Sequence, residues 1–373
     1  MNLIRPLVAC GVAVLLASCV ETATPPSPNP DPPTTVTPPT PDPPKPNPPT
    51  PDPPTSNPPK LVIRNGFEGS TRIEVRASGQ HYNLLGNDGP TAAYPSDWKT
   101  DLGDNPYFGG QQLFAEQGTE AQRNVQIVTD PVDPKNKVLR MRFTEKHIFL
   151  PSGEVKARIQ HEVSNHNAPP SGGFIREYYA KNRVYFSPNF SVLENASVNG
   201  KNTDDIGWFI MQEYRDDPYW DQPNGDGTFR KPCEARTNIE VVKRNGKLYF
   251  GAKGRDPILE VPRFPQNNSW QEVNTQFPIP FGKWITEEIY IKEGGTKTGR
   301  FYLAVTVDGV KTVIVDHTGM TTSEEPGCTP NGMEYWSTMK VYTAGRVMDW
   351  FKAAGLPMDV YWDDIEIWMN KRP

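Results

Sequence analysis

The sequence has no excess of basic residues, no long apolar run and few cysteines. Its 373 residues include 39 Lys and Arg against 44 Asp and Glu, and the formal net charge of −5 argues against a nucleic-acid-binding protein. No apolar stretch is long enough to cross a bilayer as a helix. The four cysteines offer no second ligand pair at zinc-like spacing. We therefore expect no nucleic-acid partner, no membrane-spanning helix and no zinc centre.

The first residues resemble the export signal of a bacterial lipoprotein. Arg5 supplies a positive end, and the apolar stretch from Leu7 to Leu16 is too short for a transmembrane helix. Leu16-Ala-Ser-Cys19 resembles a lipobox, which implies removal of residues 1–18 and attachment of lipid to the sulfur of Cys19. Val20 follows where an Asp would retain a lipoprotein at the inner membrane. We predict an exported protein anchored in the outer membrane, with its domain in the periplasm or on the cell surface.

Proline dominates the next segment. Nineteen of the 41 prolines lie between Pro25 and Pro59, which favours an extended polyproline II spacer. At about 3.1 Å per residue, such a segment would hold a domain on the order of 100 Å from its lipid. We predict that residues 19–59 are a disordered linker and that one globular domain spans residues 60–373.

Two cysteines remain for the domain, because Cys10 leaves with the signal and Cys19 carries lipid. Export places Cys233 and Cys328 in a compartment that oxidises thiols, so we predict a disulfide between them. In the entropic model, closing such a long loop stabilises the fold by about 4 to 5 kcal/mol before strain is counted.

Short strands separated by turn residues account for most of the domain. Arg244-Asn-Gly246 and Asp308-Gly309 are hairpin signals. One helix is predicted, beginning at Gly345 or Arg346 and ending at Ala354, because Gly355 suits the left-handed position after a helix. Many short strands with one or two helices are typical of two packed antiparallel sheets. The sequence therefore predicts an all-β sandwich.

Three of the predicted strands have a polar side opposite an apolar side. In Glu154–Val163, for example, Arg158 and Gln160 alternate with Ile159 and His161. If the three polar sides lie on one sheet, they form a groove suited to an anionic sugar. A solvated set of ion pairs is the common alternative. The polar sides comprise Lys156, Arg158 and Gln160 in the first strand, Trp208, Gln212 and Tyr214 in the second, and Lys340 and Tyr342 in the third.

These segments resemble the concanavalin-type jelly-roll polysaccharide lyases, which include alginate, glucuronan and heparin lyases. Lys156-Ala-Arg-Ile-Gln-His-Glu162 is similar to their arginine strand, Gln212-Glu-Tyr214 to a Gln-x-His strand, and Lys340-Val-Tyr342 to a late Lys-x-Gly-x-Tyr strand. Arg183–Phe190 and Val360–Trp368 resemble two further strands of these enzymes. The resemblance implies a jelly roll that acts on an anionic polysaccharide, and we expect a monomer.

Eliminative cleavage of a uronate polymer needs a neutralised carboxylate, a base for the C5 proton and an acid for the departing O4 oxygen. The resemblance assigns Arg158 and Gln212, supported by Gln160, to the carboxylate, because a guanidinium fork matches two oxygens. Tyr342 is the first candidate for the acid and also a candidate for the base. A tyrosine ordinarily has a pKa of about 10, so this role requires that Lys340 and Arg158 favour the phenolate.

Other side chains compete for the role of base. Tyr214 is the second candidate, and it stands where many of these lyases have His. His166 lies in a loop that could cover the groove, whereas alternation points His161 toward the core. The predicted substrate-binding residues around the reacting groups are Lys156, Gln160, Lys340 and Trp208.

The two ends of the domain pair as neighbouring strands in this fold. Such lyases often hold a structural Ca²⁺ there through carboxylate and carbonyl oxygens. The resemblance points to Glu68 and Asp363 as ligands, with ordinary turn acids as the alternative. No organic cofactor is expected.

Two other functions fit the same fold, since a sandwich does not determine an activity. A carbohydrate-binding lectin would use the groove and its aromatic residues without a tyrosine beside arginine and an amide. A retaining glycoside hydrolase needs two carboxylates about 5 to 5.5 Å apart, usually from a Glu-x-Asp-x-x-Glu strand. The nearest match, Asp364-Ile-Glu366, lies in the last strand, so the hydrolase ranks third.

Overall fold

Alternating apolar and polar residues build most of the domain as antiparallel strands. The structure is a computed structural model, and it describes residues 58–76, 79–89, 96–105, 108, 110–151, 153–164, 175–216, 235–255, 268–324 and 332–373. The strands are β1 (Lys60–Asn65), β2 (Arg72–Val75), β3 (His81–Leu85), β4 (Gln111–Ala115), β5 (Arg123–Thr129), β6 (Lys137–Phe143), β7 (Ile148–Phe149), β8 (Val155–Ser164), β9 (Glu177–Phe186), β10 (Ser197–Val198), β11 (Lys201–Asn202), β12 (Phe209–Asp216), β13 (Ala235–Arg244), β14 (Lys247–Arg255), β15 (Asn268–Pro278), β16 (Trp284–Lys292), β17 (Arg300–Val307), β18 (Val310–Thr318), β19 (Met333–Ala344) and β20 (Met358–Met369).

Most of these strands form two antiparallel sheets. One sheet has eight strands in the order β18-β17-β16-β9-β20-β6-β5, with β1 also paired to β20. The other has ten strands in the order β15-β14-β13-β12-β19-β8-β4-β3-β2, with β7 also paired to β8. Apolar side chains of both sheets share one buried core, which includes Ile159 and Val341 of the ten-stranded sheet and Ile289 and Trp362 of the eight-stranded sheet. The predicted fold class, an all-β jelly-roll sandwich, is confirmed.

Helical segments are short. The predicted helix is confirmed as α2 (Gly345–Ala353), which buries Met348 and Phe351, and Gly355 follows it at φ 68°. Helix α1 (Ser191–Glu194) follows a 3₁₀ turn at Pro188–Phe190, and a π-helical turn spans Trp98–Gly103. None of the described helices is long and apolar enough to cross a membrane.

The two ends of the domain pair as predicted. Strand β1 runs antiparallel to β20, with Lys60 opposite Met369 and Asn65 opposite Ile365. This pairing brings the turn after β1 close to the middle of β20, where the predicted calcium ligands lie. The predicted lipidation site Cys19, the predicted disulfide Cys233–Cys328 and the loop residue His166 fall outside the described residues.

Candidate active site

Strand β8 places its polar side chains on the outer side of the ten-stranded sheet. Ala157, Ile159 and His161 belong to the other side and are fully buried, as the alternation predicts. Burial lowers the pKa of His161 to about 3, so its ring is neutral, and it packs edge-on against Trp98 at 5.4 Å between centroids. Arg158 and its alternate neighbours therefore face outward.

Strand β19 continues this outer side next to β8. Arg158 lies directly opposite Tyr342 in the antiparallel pair. The Lys156 ammonium donates a hydrogen bond of 3.2 Å to the Tyr342 hydroxyl. The Arg158 guanidinium lies 5.4 Å and the Lys340 Nζ 5.3 Å from the centre of the Tyr342 ring. Trp208 meets the same ring edge-on at 5.5 Å, so these five predicted residues lie together.

The predicted orientation of Gln212 and Tyr214 is wrong. Strand β12 pairs with β13 through Ile210 opposite Glu240 and then Gln212 opposite Ile239, so Met211 is an extra residue on its strand. Such a bulge reverses the alternation beyond it. Gln212 and Tyr214 consequently point between the sheets, where both are buried, and neither can touch a substrate on the outer side.

The same bulge brings two other side chains of β12 to the outer side. Glu213 is contacted by Lys340 and Arg215 at short range and by Arg236 of β13 at 3.4 Å. Burial alone would raise the pKa of Glu213, but Arg215, Lys340 and Arg236 together hold it well below its usual range. Burial also lowers the pKa of Lys340, against the opposing effect of Glu213. We call this outer side, with Lys156, Arg158, Lys340, Glu213 and Arg215 at its centre, the charged face.

The charged face extends on one flank through β4 to β3. Arg158 forms an ion pair of 2.7 Å with Glu116 and lies 5.1 Å from the ring centre of Phe114. His81 of β3 stacks on Phe114 at 4.8 Å. Gln160 donates to Glu162, which also accepts a hydrogen bond of 2.8 Å from Gln112.

The opposite flank extends through β13 and β14. Glu240 pairs with Lys253 and accepts a hydrogen bond of 2.7 Å from Gln271 of β15. The contacts described so far involve six cations and four carboxylates of the charged face. They are Lys156, Arg158, Arg215, Arg236, Lys253 and Lys340, and Glu116, Glu162, Glu213 and Glu240. On the flank of β3 and β4, Arg76 extends this side beside Asn83 and Gln112.

The buried polar atoms of the charged face without a hydrogen-bond partner within the part of the chain that the structure describes include one donor and two amide oxygens. These are Arg158 Nε, Gln160 Oε1 and Asn238 Oδ1, and Asn238 lies opposite Glu213 on β13. Buried polar atoms are nearly always paired in folded proteins. These two acceptors and one donor are therefore suited to a polar ligand such as a sugar with hydroxyl and carboxylate groups.

The predicted calcium ligands do come together. Glu68 Oε2 and Asp363 Oδ1 lie 2.5 and 3.5 Å from the position that a Cβ on Gly66 would occupy, with Asp364 Oδ1 at 3.4 Å. Asp363 already accepts hydrogen bonds from Asn136 and Arg183. Among the described residues, no group of three or more His, Cys, Asp or Glu side chains is arranged to hold a metal ion. Calcium at this site stays a prediction.

Sequence reasoning missed several residues of the charged face. Glu213 and Arg215 alternate with inward-facing residues when β12 is read backward from its end. This alternation was present in the sequence, but the bulge at Met211 breaks it when the strand is read forward. The alternation in β8 placed Glu162 on its polar side, but no sequence pattern indicated that Glu162 accepts a hydrogen bond from Gln160. For His81, which lies outside any motif, no such signal exists in the sequence.

Comparisons with known proteins give only distant likenesses. No family model matches the chain, and none of the curated proteins matches it. The alginate lyase Aly36B is similar over 82% of this chain and 95% of its own, at 12% identity and a TM-score of 0.39. The PL-14 alginate lyase from Aplysia kurodai gives 76% and 97% coverage, 9% identity and a TM-score of 0.41.

The endo-β-1,4-glucuronan lyase from the fungus Trichoderma reesei gives 68% and 89% coverage, 14% identity and a TM-score of 0.36. Each of these structures is distant in sequence, and each TM-score is below 0.5. The likenesses therefore do not assign an activity to this chain, which has to be argued from its own side chains.

Proposed function

We propose that this protein is a polysaccharide lyase that cleaves a uronate-containing polymer by β-elimination on the charged face. The observation that carries the proposal is the setting of Tyr342. Its hydroxyl accepts a hydrogen bond from Lys156, and Arg158 and Lys340 lie within 5.4 Å of its ring centre. A phenol held in this way can exchange a proton with a sugar bound on the charged face.

The charge of the face supports an acidic substrate. Lys156 and Arg158 both lie beside Tyr342 on this face, and Arg158 keeps a buried Nε without a protein partner in the described residues. A guanidinium binds a carboxylate through two parallel hydrogen bonds, which fixes orientation as well as charge. A uronate carboxylate could compete with Glu116 for Arg158, so the Arg158–Glu116 pair would hold the guanidinium in place until substrate arrives.

The proposed reaction uses one tyrosine for both proton transfers. Arg158 neutralises the uronate carboxylate with Gln160 beside it, and this makes the C5 proton more acidic. Tyr342, as phenolate, takes that proton, the C–H electron pair becomes the C4–C5 double bond, and the C4–O4 bond breaks. The phenol then returns the proton to the departing O4 oxygen. One product ends in an unsaturated uronate and the other in a new hydroxyl group.

The remaining predicted residues have supporting roles in the proposal. Trp208 lies edge-on to Tyr342 and offers an aromatic surface for a neighbouring sugar ring. Lys156 holds the Tyr342 hydroxyl, and Lys340 adds positive charge below the ring. Gln212 has no place in this mechanism, because its amide points into the core. Arg158 and Gln160 therefore form the carboxylate-binding pair by themselves.

A matched pair of substrates tests the proposal. The purified protein is offered alginate, glucuronan and heparin, each beside its carboxyl-reduced form, while ultraviolet absorbance from an unsaturated product is followed. We expect absorbance to grow with one native polymer and not with its reduced form, because elimination requires the carboxyl group at C5. New reducing ends without unsaturation would show a hydrolase instead. Retention of a polymer without any product would show a lectin, and either result would refute the lyase.

The cellular setting remains a prediction from the sequence. A lipid anchor at Cys19 and a proline-rich spacer would hold the domain outside the cytoplasm, where Cys233 and Cys328 would form a disulfide. A tethered monomer of this kind would meet an external polymer at the end of its spacer.

A further inference from the structure

A buried polar chain crosses the core directly beneath the charged face. Glu287 of β16 is fully buried, and its Oε2 accepts hydrogen bonds from Asn182 Nδ2 of β9 at 2.8 Å and from Gln212 Nε2 of β12 at 2.7 Å. Gln212 Oε1 in turn accepts a hydrogen bond of 2.8 Å from the Tyr214 hydroxyl. Since β16 and β12 belong to different sheets, these contacts tie the two sheets together.

The surroundings of Glu287 favour the protonated, neutral form of its carboxyl group. Burial raises its pKa to about 7, while the Asn182 and Gln212 amides oppose that shift. Glu287 Oε1 and Asn182 Oδ1 are both buried without a partner within the described residues, and the other atoms of these two side chains already touch. A proton on Oε1 would complete a two-bond acid–amide pair between them. Such a group is costly to bury compared with an apolar side chain, so a specific role is to be expected.

The hydrogen bond from Gln212 to Glu287 lies next to the bulge that sets which side chains of β12 face outward. Gln212 directly follows Met211, the extra residue of the bulge. With Gln212 facing inward, Glu213 and Arg215 face outward. A slip of one residue would reverse every side chain of this segment. The residues at the bulge do not by themselves favour one of the two possible alternations, because Ile210 and Met211 are both apolar.

We propose that Glu287 is a positioning residue, which holds Gln212 in the core and thereby fixes Glu213 and Arg215 on the charged face. The inference deepens the proposed lyase function and rests on it for its effect on turnover. One half of the inference is structural, namely that Glu287 fixes the orientation of β12, and this half is independent of any activity. The two halves can therefore fail separately.

The test compares three variants of the full chain. Glu287→Gln keeps a carbonyl acceptor and gains a donor for Asn182 Oδ1, whereas Glu287→Leu removes every polar contact. Leu139→Ala of β6 truncates another fully buried side chain and serves as a control matched for loss of melting temperature. The measurements are backbone hydrogen exchange of Met211–Arg215 under native conditions, and kcat and KM on the polymer that wild type cleaves. If Glu287→Leu does not fold, Gln212→Leu replaces it, since it leaves the Asn182–Glu287 bond in place.

We expect Glu287→Leu to speed exchange in Met211–Arg215 at least tenfold beyond Leu139→Ala and to lower kcat at least tenfold. Glu287→Gln should stay within about threefold of wild type in both measurements. Equal exchange in Glu287→Leu and Leu139→Ala would overturn the proposal. Faster exchange in a protein that cleaves no polymer would instead support the hold on β12 and reject the lyase.

Discussion

Lys156 Nζ and the Tyr342 hydroxyl lie 3.2 Å apart, although 186 residues separate them in the chain. Strands β8 and β19 pair antiparallel, and this register sets Lys156 opposite Ala344 and Arg158 opposite Tyr342. The phenol is thus flanked by cations from its own strand and from the neighbouring one. No other described tyrosine of the ten-stranded sheet combines this setting with partial exposure, since Tyr82, Tyr214, Tyr249 and Tyr335 are buried.

Removal of the Tyr342 hydroxyl should abolish turnover without unfolding the protein. Tyr342→Phe keeps the ring between Arg158 and Lys340 but deletes the group that moves the proton, so kcat/KM should fall by about 10²- to 10⁴-fold. Tyr302→Phe on the outer side of the eight-stranded sheet is the matched control. Melting curves check the fold, and unsaturated product reports turnover. Full activity in Tyr342→Phe would rule out this tyrosine as the acid and base.

Loss of the Arg158 guanidinium should remove the carboxylate-binding group. Arg158→Ala should lower kcat/KM by about 10²- to 10³-fold, in the range seen when a charge-stabilising donor is deleted. Arg142→Ala is the control, because Arg142 forms a similar ion pair of 2.7 Å with Asp359 but lies on the eight-stranded sheet. A comparable loss of activity in both variants would mean that Arg158 acts through stability alone.

The sequence predicts the presence of the sheets better than it predicts on which side of a sheet each side chain lies. The Asn-Gly and Asp-Gly hairpins are present, with Asn245 at φ 50° and Asp308 at φ 51°. Strands β8 and β19 place Lys156, Arg158 and Tyr342 as expected, because the alternation of charged and apolar residues there is unambiguous.

The alternation of polar and apolar residues gives the wrong orientation for strand β12, and the reason is physical. Ile210 and Met211 are adjacent apolar residues, so the sequence fits either phase, and the paired strands decide between them. Contacts among distant strands are equally invisible to periodicity. The approach of Glu287 to Gln212 depends on the packing of two sheets, which no local pattern specifies.

Glu213 should matter more to stability than Arg236, the most exposed of its cations. Glu213→Gln leaves Lys340 and Arg215 buried without the carboxylate that compensates them, and breaking such a pair costs about 3 to 5 kcal/mol. Arg236→Ala should cost less than about 1 kcal/mol, because Arg236 is 26% exposed and two other cations stay on Glu213. Urea unfolding measures both variants. Equal costs would show that Glu213 is not the centre of the network.

Calcium should stabilise the protein through the acids near Gly66. Burial together with Asp88 raises the pKa of Glu68 to about 7, and burial together with Asp364 raises that of Asp363 to about 8. A divalent cation would relieve this repulsion, and at one hundred times its Kd it would add about 2.7 kcal/mol. We expect millimolar Ca²⁺ to raise Tm at pH 8, EDTA to reverse the shift, and Glu68→Gln to abolish it. Asp308→Asn, a change in an exposed hairpin acid, should retain the shift. An unchanged Tm in wild type would exclude the site.

Glu287 should make the protein less stable as pH rises. Its pKa in the folded state, about 7, lies above the ordinary value of 4.5, so the folded protein binds this proton more tightly than the unfolded chain. The resulting stabilisation is complete below pH 4.5 and is lost as pH rises through about 7, a change of about 3 kcal/mol. The carboxyls of Glu68 and Asp363 act in the same direction, so the difference between wild type and Glu287→Gln isolates the contribution of Glu287.

Glu288, the next residue on β16, gives the control for this pH dependence. It faces the other side of the strand, and Lys311 lowers its pKa against the effect of burial. Its contribution is therefore present above pH 4.5 and is lost as pH falls, which is the opposite sign. In urea unfolding from pH 4 to pH 8, Glu287→Gln should flatten the decline between pH 4.5 and 7, whereas Glu288→Gln should leave that interval unchanged. A decline of equal slope in wild type and Glu287→Gln would mean that Glu287 is not held as a neutral acid in the core.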